Sequence, residues 1–171
     1  MKKVVLVIVF FVAAINMQAQ ELKWHTNVND AIAVSTKEKK PLLLFFTGSD
    51  WCGWCIRLQK EVFLTPEFTQ WAKANVVLVE LDFPRKTPQT EVVKKQNNEL
   101  QQAFSVQGFP TIHFANSTNK GGKINFQGLG NTGYVPGGPK AWLAVANEII
   151  KTNPLVKVAD PVAKKATTKK S

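Results

Sequence analysis

The sequence predicts an α/β domain in which a central mixed β-sheet is flanked by helices. Two continuous apolar runs, Leu42–Thr47 and Val76–Phe83, have the pattern of strands that are buried on both faces. Stretches in which apolar residues recur at helical spacing follow both runs. The chain has 171 residues, of which 44% are apolar and 20% charged. This composition is sufficient for a packed core, and the length fits one domain of ordinary size but is short for two.

A helix over Asn29–Lys39 is predicted before the first strand. Its first residue or Asn27 can cap it, and Pro41 ends it. After the first strand and a short turn, apolar residues at helical spacing predict an amphipathic helix that contains Ile56, Leu58, Val62 and Phe63. The pair Thr65-Pro66 then supplies a cap and a proline at the first helical position, so we expect a kink or a second short helix there.

The second half of the chain is predicted to add a strand, a helix, a β-hairpin and a last helix. Pro84 ends the strand Val76–Phe83, and apolar residues on one helical face follow between Pro88 and Phe104. The remaining predicted elements are a strand over Thr111–Ala115, a turn-rich stretch over Asn116–Gly122, a hairpin partner over Lys123–Gln127, a glycine-rich loop over Gly128–Pro139 and a helix from about Pro139 to Lys151.

Both ends of the chain are predicted to lie outside this domain, which we place at residues 20–152. Residues 1–19 have the pattern of a secretory signal, since Lys2 and Lys3 precede the apolar run Val4–Ile15 and Ala19 is a small residue before the expected cut. That run is shorter than the roughly 20 residues that span a bilayer, and an uncleaved anchor is the alternative. Residues 153–171 predict a disordered Lys-rich tail, either simply solvated or weakly attracted to anionic surfaces.

The net charge of +10 is concentrated at the two ends of the chain. Residues 20–150 contain 14 basic and 11 acidic side chains, which is close to balance. A strongly basic nucleic-acid module is therefore not expected.

The chain has two cysteines, Cys52 and Cys55, and a bond across so short a loop stabilises little through chain entropy. The presence of this pair is therefore better explained by a chemical role than by a stabilising one. Because Cys52 falls near the start of a helix, where free N–H groups and the helix dipole favour negative charge, its pKa should lie below the usual value of about 8.5. Cys55 is expected to be less accessible. The alternatives are a merely structural disulfide and a zinc site completed by His25 and His113, which have no zinc-finger spacing.

Two segments resemble the thioredoxin superfamily. Phe45–Cys55 (FFTGSDWCGWC) is similar to the active-site strand and helix of that superfamily, and Gly108–Thr111 (GFPT) is similar to a loop whose proline is cis and faces the sulfurs. The resemblance covers roughly Leu22–Lys151. It implies a thioredoxin-like fold in which Cys52 is the catalytic nucleophile and Cys55 is the resolving thiol.

The substrate-binding residues that this resemblance implies are Trp51, Gly53, Trp54, Phe109 and Pro110. Trp51 and Trp54 pack around the helix start, or form an apolar platform for an extended substrate, or do both. Pro110 lacks an N–H, so the backbone of this loop can be left free to pair with an extended substrate strand. An ordinary trans proline at the start of a strand is the alternative.

The sequence departs from the superfamily at two places. The buried acid that thioredoxins carry six residues before the first cysteine is replaced by Phe46. Glu80 or Asp82 on the next strand is the candidate substitute, and a solvated acid at a strand end is the alternative. The residues between the cysteines, Gly53-Trp54, include no positively charged group, which predicts a reducing rather than a strongly oxidising couple.

The resemblance implies thiol–disulfide exchange, and we expect reduction of disulfides in exported proteins. The expected partners are disulfide-containing protein substrates and a membrane or soluble reductant that recycles the dithiol. No cofactor, no metal, no nucleic acid and no stable membrane insertion after signal cleavage are expected, and the signal indicates a bacterial periplasmic or secreted protein. The alternatives are an oxidase or isomerase of the same fold and a non-catalytic thioredoxin-like holdase.

Overall fold

Five strands and five helices make up the part of the chain that the computed structural model describes, residues 22–121 and 123–151. In chain order they are β1 Trp24–His25, α1 Val28–Glu38, β2 Leu42–Thr47, α2 Gly53–Leu58 with a π-helical continuation Gln59–Phe63, α3 Pro66–Asn75, β3 Val77–Asp82, α4 Glu91–Ala103, β4 Thr111–Lys120, β5 Lys123–Thr132 and α5 Gly138–Lys151. The predicted signal (1–19) and the predicted tail (153–171) lie outside the described residues. None of the helices within the described ranges is both long and apolar enough to cross a bilayer.

The sheet is mixed, as predicted, and its strand order is β1-β3-β2-β4-β5. β3 pairs in parallel with both β1 and β2, whereas β4 runs antiparallel to β2 and to β5. All six residues of β2 are buried, which confirms the prediction from its continuous apolar run. The carboxyl end of this buried central strand is followed, after a short turn, by the segment that contains the two cysteines.

Alternating residues of β2 enter two separate cores, because successive side chains of a strand point to opposite faces. Leu43 and Phe45 join the core beneath α2, α3 and α5, which also contains Cys55 and Trp142. The alternate residues of β2 join the core beneath α1 and α4. The cysteine pair thus packs on one defined face of the sheet.

The predicted helix starts are confirmed by their caps. The side chain of Asn27 accepts from the backbone N–H of Asn29 at the start of α1, and Thr65 caps α3 with Pro66 at its first position. The helix after the cysteines ends with one π-helical turn, Gln59–Phe63, in front of that cap.

The β4–β5 hairpin is longer than the sequence predicted. We predicted a turn-rich stretch over Asn116–Gly122 and a loop over Gly128–Pro139, but β4 continues to Lys120 and β5 to Thr132. Two of the glycines that indicated a loop, Gly128 and Gly130, lie inside β5, at a bulge opposite Phe114 and Ala115. Gly130 has φ 147, and a Cβ there would lie 3.0 Å from the side chain of Ile149 in α5. Gly130 therefore permits the bulge and the close approach of α5, rather than forming part of a loop.

Candidate active site

Cys52 and Cys55 lie where the central strand passes into α2. The backbone N–H of Cys52 donates to the carbonyl oxygen of Gly48 at 2.8 Å, which closes the turn after β2. Cys52 occupies the cap position of α2, and its Sγ accepts from the backbone N–H of Cys55 at 3.2 Å. The two sulfurs form a disulfide with an S–S distance of 2.06 Å, so the structure represents the oxidised form.

The two cysteines differ in access to solvent. Cys52 retains 6% of its surface, whereas Cys55 retains none. Cys52 caps the first helical turn, whose N–H groups have no partner within the helix, and no acidic residue lies in that turn. A thiolate at Cys52 would therefore be stabilised by hydrogen bonding and by the helix dipole, and it is the sulfur that a partner can reach.

The turn before Cys52 is held against the end of β3. The backbone N–H and Oγ of Ser49 donate to the carboxylate of Asp82 at 2.8 Å and 2.6 Å. Asp50 accepts from the backbone N–H groups of residues 85, 86 and 87 at 3.0 Å, 2.7 Å and 3.0 Å. These hydrogen bonds, the one from Arg85 foremost, lower the pKa of Asp50 to about 2. Both acids thus fix the backbone that presents Cys52.

Trp51 is fixed on several sides. Its Nε1 donates to the carbonyl oxygen of Phe83 at 2.8 Å, and its ring meets the ring of Phe109 edge-on at 5.9 Å. The Arg85 guanidinium lies 3.9 Å from the centroid of the Trp51 ring. A Cβ on Gly48 would lie 2.5 Å from the same ring, so this position has no room for a side chain.

The loop before β4 lies beside this tryptophan. The Phe109–Pro110 peptide is cis, and the ring of Phe109 stacks on that of Phe83 at 5.0 Å. Phe109 packs against the core that contains Cys52. The backbone oxygen of Pro110 lies 3.2 Å from where a Cβ on Gly133 would be, so the segment after β5 borders this loop. The two sequence motifs are thereby brought to one end of the sheet.

Trp54, two residues after Cys52, is 55% exposed. Its ring lies 5.1 Å from that of Tyr134, and the Arg57 guanidinium lies over both rings at 5.4 Å and 5.2 Å. The carboxylate of Glu61 accepts hydrogen bonds from Arg57 Nε at 2.7 Å and from Tyr134 Oη at 2.5 Å, and so links these two side chains. The hydrogen bond from Tyr134, and secondly that from Arg57, lowers the pKa of Glu61. An exposed tryptophan is thus held in a fixed position.

The structure brings together the predicted residues Cys52, Cys55, Trp51 and Phe109, with Pro110 following in the same loop. Gly53 is exposed at the start of α2, and nothing lies within 4 Å of a Cβ placed there. Sequence reasoning did not identify Asp50, Arg85 and Tyr134 as parts of the site. Of these three, only Asp50 could have been suspected from the sequence, because it stands two residues before Cys52. Arg85 and Tyr134 are distant in sequence and reach the site only when the chain folds.

The zinc alternative finds no support in the positions of the histidines. His113 lies against the rings of Phe46 and Phe104, on the sheet face opposite Cys55. Within residues 22–121 and 123–151, no three His, Cys, Asp or Glu side chains are grouped so that they could hold a metal ion.

Glu80 and Asp82, the two predicted substitutes for the missing buried acid, differ in their surroundings. Asp82 is engaged by Ser49, as described above. Glu80 pairs in register with Phe45, on the sheet face that also carries Cys55. It lines a cavity of about 150 Å³ with Trp24, Phe63 and Gln59. Burial, and secondly the charge of Asp82, raises the pKa of Glu80.

Replacing Glu80 by glutamine is expected to stabilise the oxidised protein at neutral and alkaline pH. A raised pKa in the folded state means that the wild type loses stability as pH rises through that pKa, whereas glutamine does not titrate. At about pH 4 both side chains are largely neutral, folded or unfolded, so the two proteins should denature at similar urea concentrations. Urea denaturation of both proteins from about pH 4 to pH 8 measures the difference. A constant difference at all pH values would contradict the burial of an ionising group.

A family model described as a thioredoxin-like domain matches residues 28–136 of this chain. The chain is similar to the disulfide bond reductase DsbH of Chlamydia pneumoniae, with 35% identity over 133 residues that cover 78% of this chain and 75% of DsbH. It is also similar to the thioredoxin-related protein DsbJ of the same organism, with 35% identity over 100 residues that cover 58% of this chain and 29% of DsbJ.

Solved structures agree with these matches. A structure of DsbH oxidoreductase matches with a TM-score of 0.68 and 34% identity over 77% of this chain and 86% of that chain. A thioredoxin from Thermus thermophilus matches with a TM-score of 0.50 and 19% identity over 76% of this chain and 85% of that one, which supports the fold alone.

Proposed function

This chain belongs to the thioredoxin-like family of thiol–disulfide oxidoreductases, and on that basis we propose that it reduces disulfide bonds in exported proteins. The observation on which this proposal depends is the placement of the two sulfurs. Cys52 caps α2 and retains access to solvent, while Cys55 is fully buried one helical turn later and bonded to it. One sulfur is therefore suited to attack a substrate, and the other to displace it.

The proposed reaction proceeds through two exchanges. The Cys52 thiolate attacks one sulfur of the substrate disulfide, which forms a mixed disulfide and releases the other substrate sulfur as a thiolate. Cys55 then gives up its proton and attacks the Cys52 sulfur, which releases the second substrate thiolate. The enzyme dithiol loses two electrons, and the substrate gains two electrons and takes up two protons.

Return to the active form requires an external dithiol reductant, either a membrane protein or a soluble one. No further cofactor enters the proposed reaction, because the sulfurs themselves carry the electrons.

The proposed substrate-binding residues are Trp51, Gly53, Trp54, Phe109 and Pro110. The two tryptophans flank Cys52 and Gly53 in the sequence, and each is held by its own contacts. Gly53 lies between them in the sequence and is exposed, with nothing within 4 Å of a Cβ placed there. We propose that an extended substrate segment lies across this surface and pairs with the backbone of the Phe109–Pro110 loop.

The direction of the reaction and the location of the protein are part of the proposal. The similarity to a protein named a disulfide bond reductase favours reduction. The sequence Gly53-Trp54 places no positive charge between the cysteines, so the reduced form gains little extra stabilisation and remains a good donor. Export is proposed from the predicted signal at residues 1–19, and the proposed location is the bacterial periplasm or the exterior of the cell.

The proposal is tested by insulin reduction and by equilibration with glutathione. We expect the protein to accelerate reduction of insulin disulfides by dithiothreitol and to have a midpoint potential near about −270 mV. Alkylation of free thiols and mass spectrometry give the reduced fraction in each glutathione buffer. A potential above about −150 mV would contradict the reductase direction and favour an oxidase, and failure to accelerate insulin reduction would remove the enzyme proposal altogether.

A further inference from the structure

We propose that Arg85 determines substrate specificity by binding a carboxylate close to the substrate disulfide. This inference rests on the disulfide exchange proposed above and adds to it the chemistry of the preferred partner, an extended polypeptide with Asp or Glu near its disulfide cysteine. Three features of the structure support it: the fixed position of the guanidinium, its free charge and its exposure.

Both ends of Arg85 are tied to the residues that immediately precede Cys52. Its backbone N–H donates to the carboxylate of Asp50 at 3.0 Å. Its guanidinium lies 3.9 Å from the centroid of the Trp51 ring, within the range of a cation–π contact. The Trp51 ring is itself held by the carbonyl oxygen of Phe83 and by the ring of Phe109. Arg85 is therefore held at the rim of the site, although its side chain is exposed.

The charge of Arg85 is not neutralised by a carboxylate. No acidic oxygen lies within 4.0 Å of its guanidinium in the described parts of the chain. The carboxylate of Asp50 is occupied by backbone N–H groups, and that of Asp82 by Ser49. By contrast, Arg57, the arginine beside Trp54, is paired with Glu61 at 2.7 Å. Of the two arginines that contact the tryptophans of the site, Arg85 is the one available to a ligand.

A carboxylate is the ligand that this arrangement fits. Stacking uses one face of the guanidinium and leaves the N–H groups at its edge free, and these form a planar fork that matches two carboxylate oxygens. Trp51 precedes Cys52 directly, so the guanidinium lies at most roughly 15 Å from the Cys52 sulfur, a span that about four to five residues of an extended chain cover. An acidic residue within that distance of the substrate cysteine can therefore reach Arg85 while its sulfur reacts at Cys52.

The test compares disulfide-bonded peptides that differ at one position near the cysteine, which is Glu, Gln or Lys. The reduced protein is mixed with each peptide, and the second-order rate constant for oxidation of the dithiol is measured by acid quenching and mass spectrometry. We expect the wild type to reduce the Glu peptide about five-fold faster than the Gln peptide, the upper range for an exposed ion pair, and the Lys peptide most slowly. Because both rates come from the same protein, any effect on the acidity of Cys52 cancels in their ratio.

Two substitutions assign the preference to Arg85. Arg85→Ala is expected to bring the Glu-to-Gln ratio to about one, and Arg85→Lys to retain part of it without the planar fork. Lys86→Ala is the matched control, since Lys86 is the adjacent exposed residue and its loss changes the net charge equally. We expect this control to keep most of the preference. Circular dichroism of each variant verifies the fold.

Three outcomes would overturn the inference. They are equal rates for the Glu and Gln peptides in the wild type, an unchanged ratio in Arg85→Ala, and an equal loss of preference in Lys86→Ala and Arg85→Ala. The last would indicate general electrostatic attraction. Reduction of the Gln peptide separates these outcomes from failure of the proposed function, in which none of the peptides would be reduced.

Discussion

Replacement of Cys52 by serine is expected to abolish disulfide reduction, with a rate at least about a thousand-fold below that of the wild type. A serine hydroxyl is not ionised near neutral pH and cannot form a mixed disulfide, so the first exchange has no nucleophile. Cys55 cannot take over the attack, because it is fully buried on the inner face of α2. Insulin reduction with dithiothreitol as the donor measures the loss.

Replacement of Cys55 by serine provides the matched counterpart. Cys52 retains its partial access to solvent at the cap of α2, so this variant should attack the substrate and then stop at the mixed disulfide. A covalent adduct that excess dithiothreitol releases should be visible by mass spectrometry with Cys55→Ser and absent with Cys52→Ser. The reverse pattern, or steady turnover by either variant at the rate of the wild type, would contradict the assigned roles.

The same variants separate the enzyme from a binding module. A thioredoxin-like holdase would use Trp51 and Trp54 to hold unfolded chains and would not need the sulfurs. Cys52→Ala would then protect an aggregating client as well as the wild type does, while the wild type itself would reduce no disulfide. Loss of reduction in Cys52→Ala, with activity in the wild type, excludes that alternative.

The fold could be predicted largely from local patterns. β2 and β3 were identified because strands covered on both faces consist of continuous apolar runs, and α3 because Thr65-Pro66 is a strong start signal. β1 was missed, since two residues give no periodicity. The hairpin was predicted too short because polar residues and glycines near its end resemble a turn, whereas pairing between the two strands continues through them.

The parts of the site that lie within short sequence motifs could be predicted. The cysteine pair, its tryptophans and the Phe109–Pro110 loop each appear as a short motif. The contacts that hold them do not, because they join segments far apart in sequence. Asp50 binds the loop after β3, and Tyr134, which follows β5, reaches Glu61 after α2. No periodicity or composition relates such pairs, so three-dimensional coordinates are needed to find them.

Gly48 is the position at which a single methyl group is expected to do the most structural damage near the site. A Cβ there would lie 2.5 Å, 2.6 Å and 2.8 Å from three atoms of the Trp51 ring. The ring cannot move aside without losing its hydrogen bond to Phe83 and its contacts with Phe109 and Arg85. Gly48→Ala should therefore lower the free energy of unfolding by about 2 to 3 kcal/mol. The corresponding fall in melting temperature is on the order of 10 °C.

Activity should fall together with stability in Gly48→Ala, because Trp51 adjoins the nucleophile and a small displacement of Cys52 misaligns the attack. We expect insulin reduction to slow by about ten-fold or more at a temperature where the variant is still folded. Gly128→Ala is the matched control, since Gly128 lies in β5 with nothing within 4 Å of an added Cβ. That control should have the same melting temperature and the same rate of insulin reduction as the wild type. If both glycine variants behaved alike, the fixed position of Trp51 would not be what orients Cys52, and the basis for placing Arg85 beside the reacting sulfur would be lost with it.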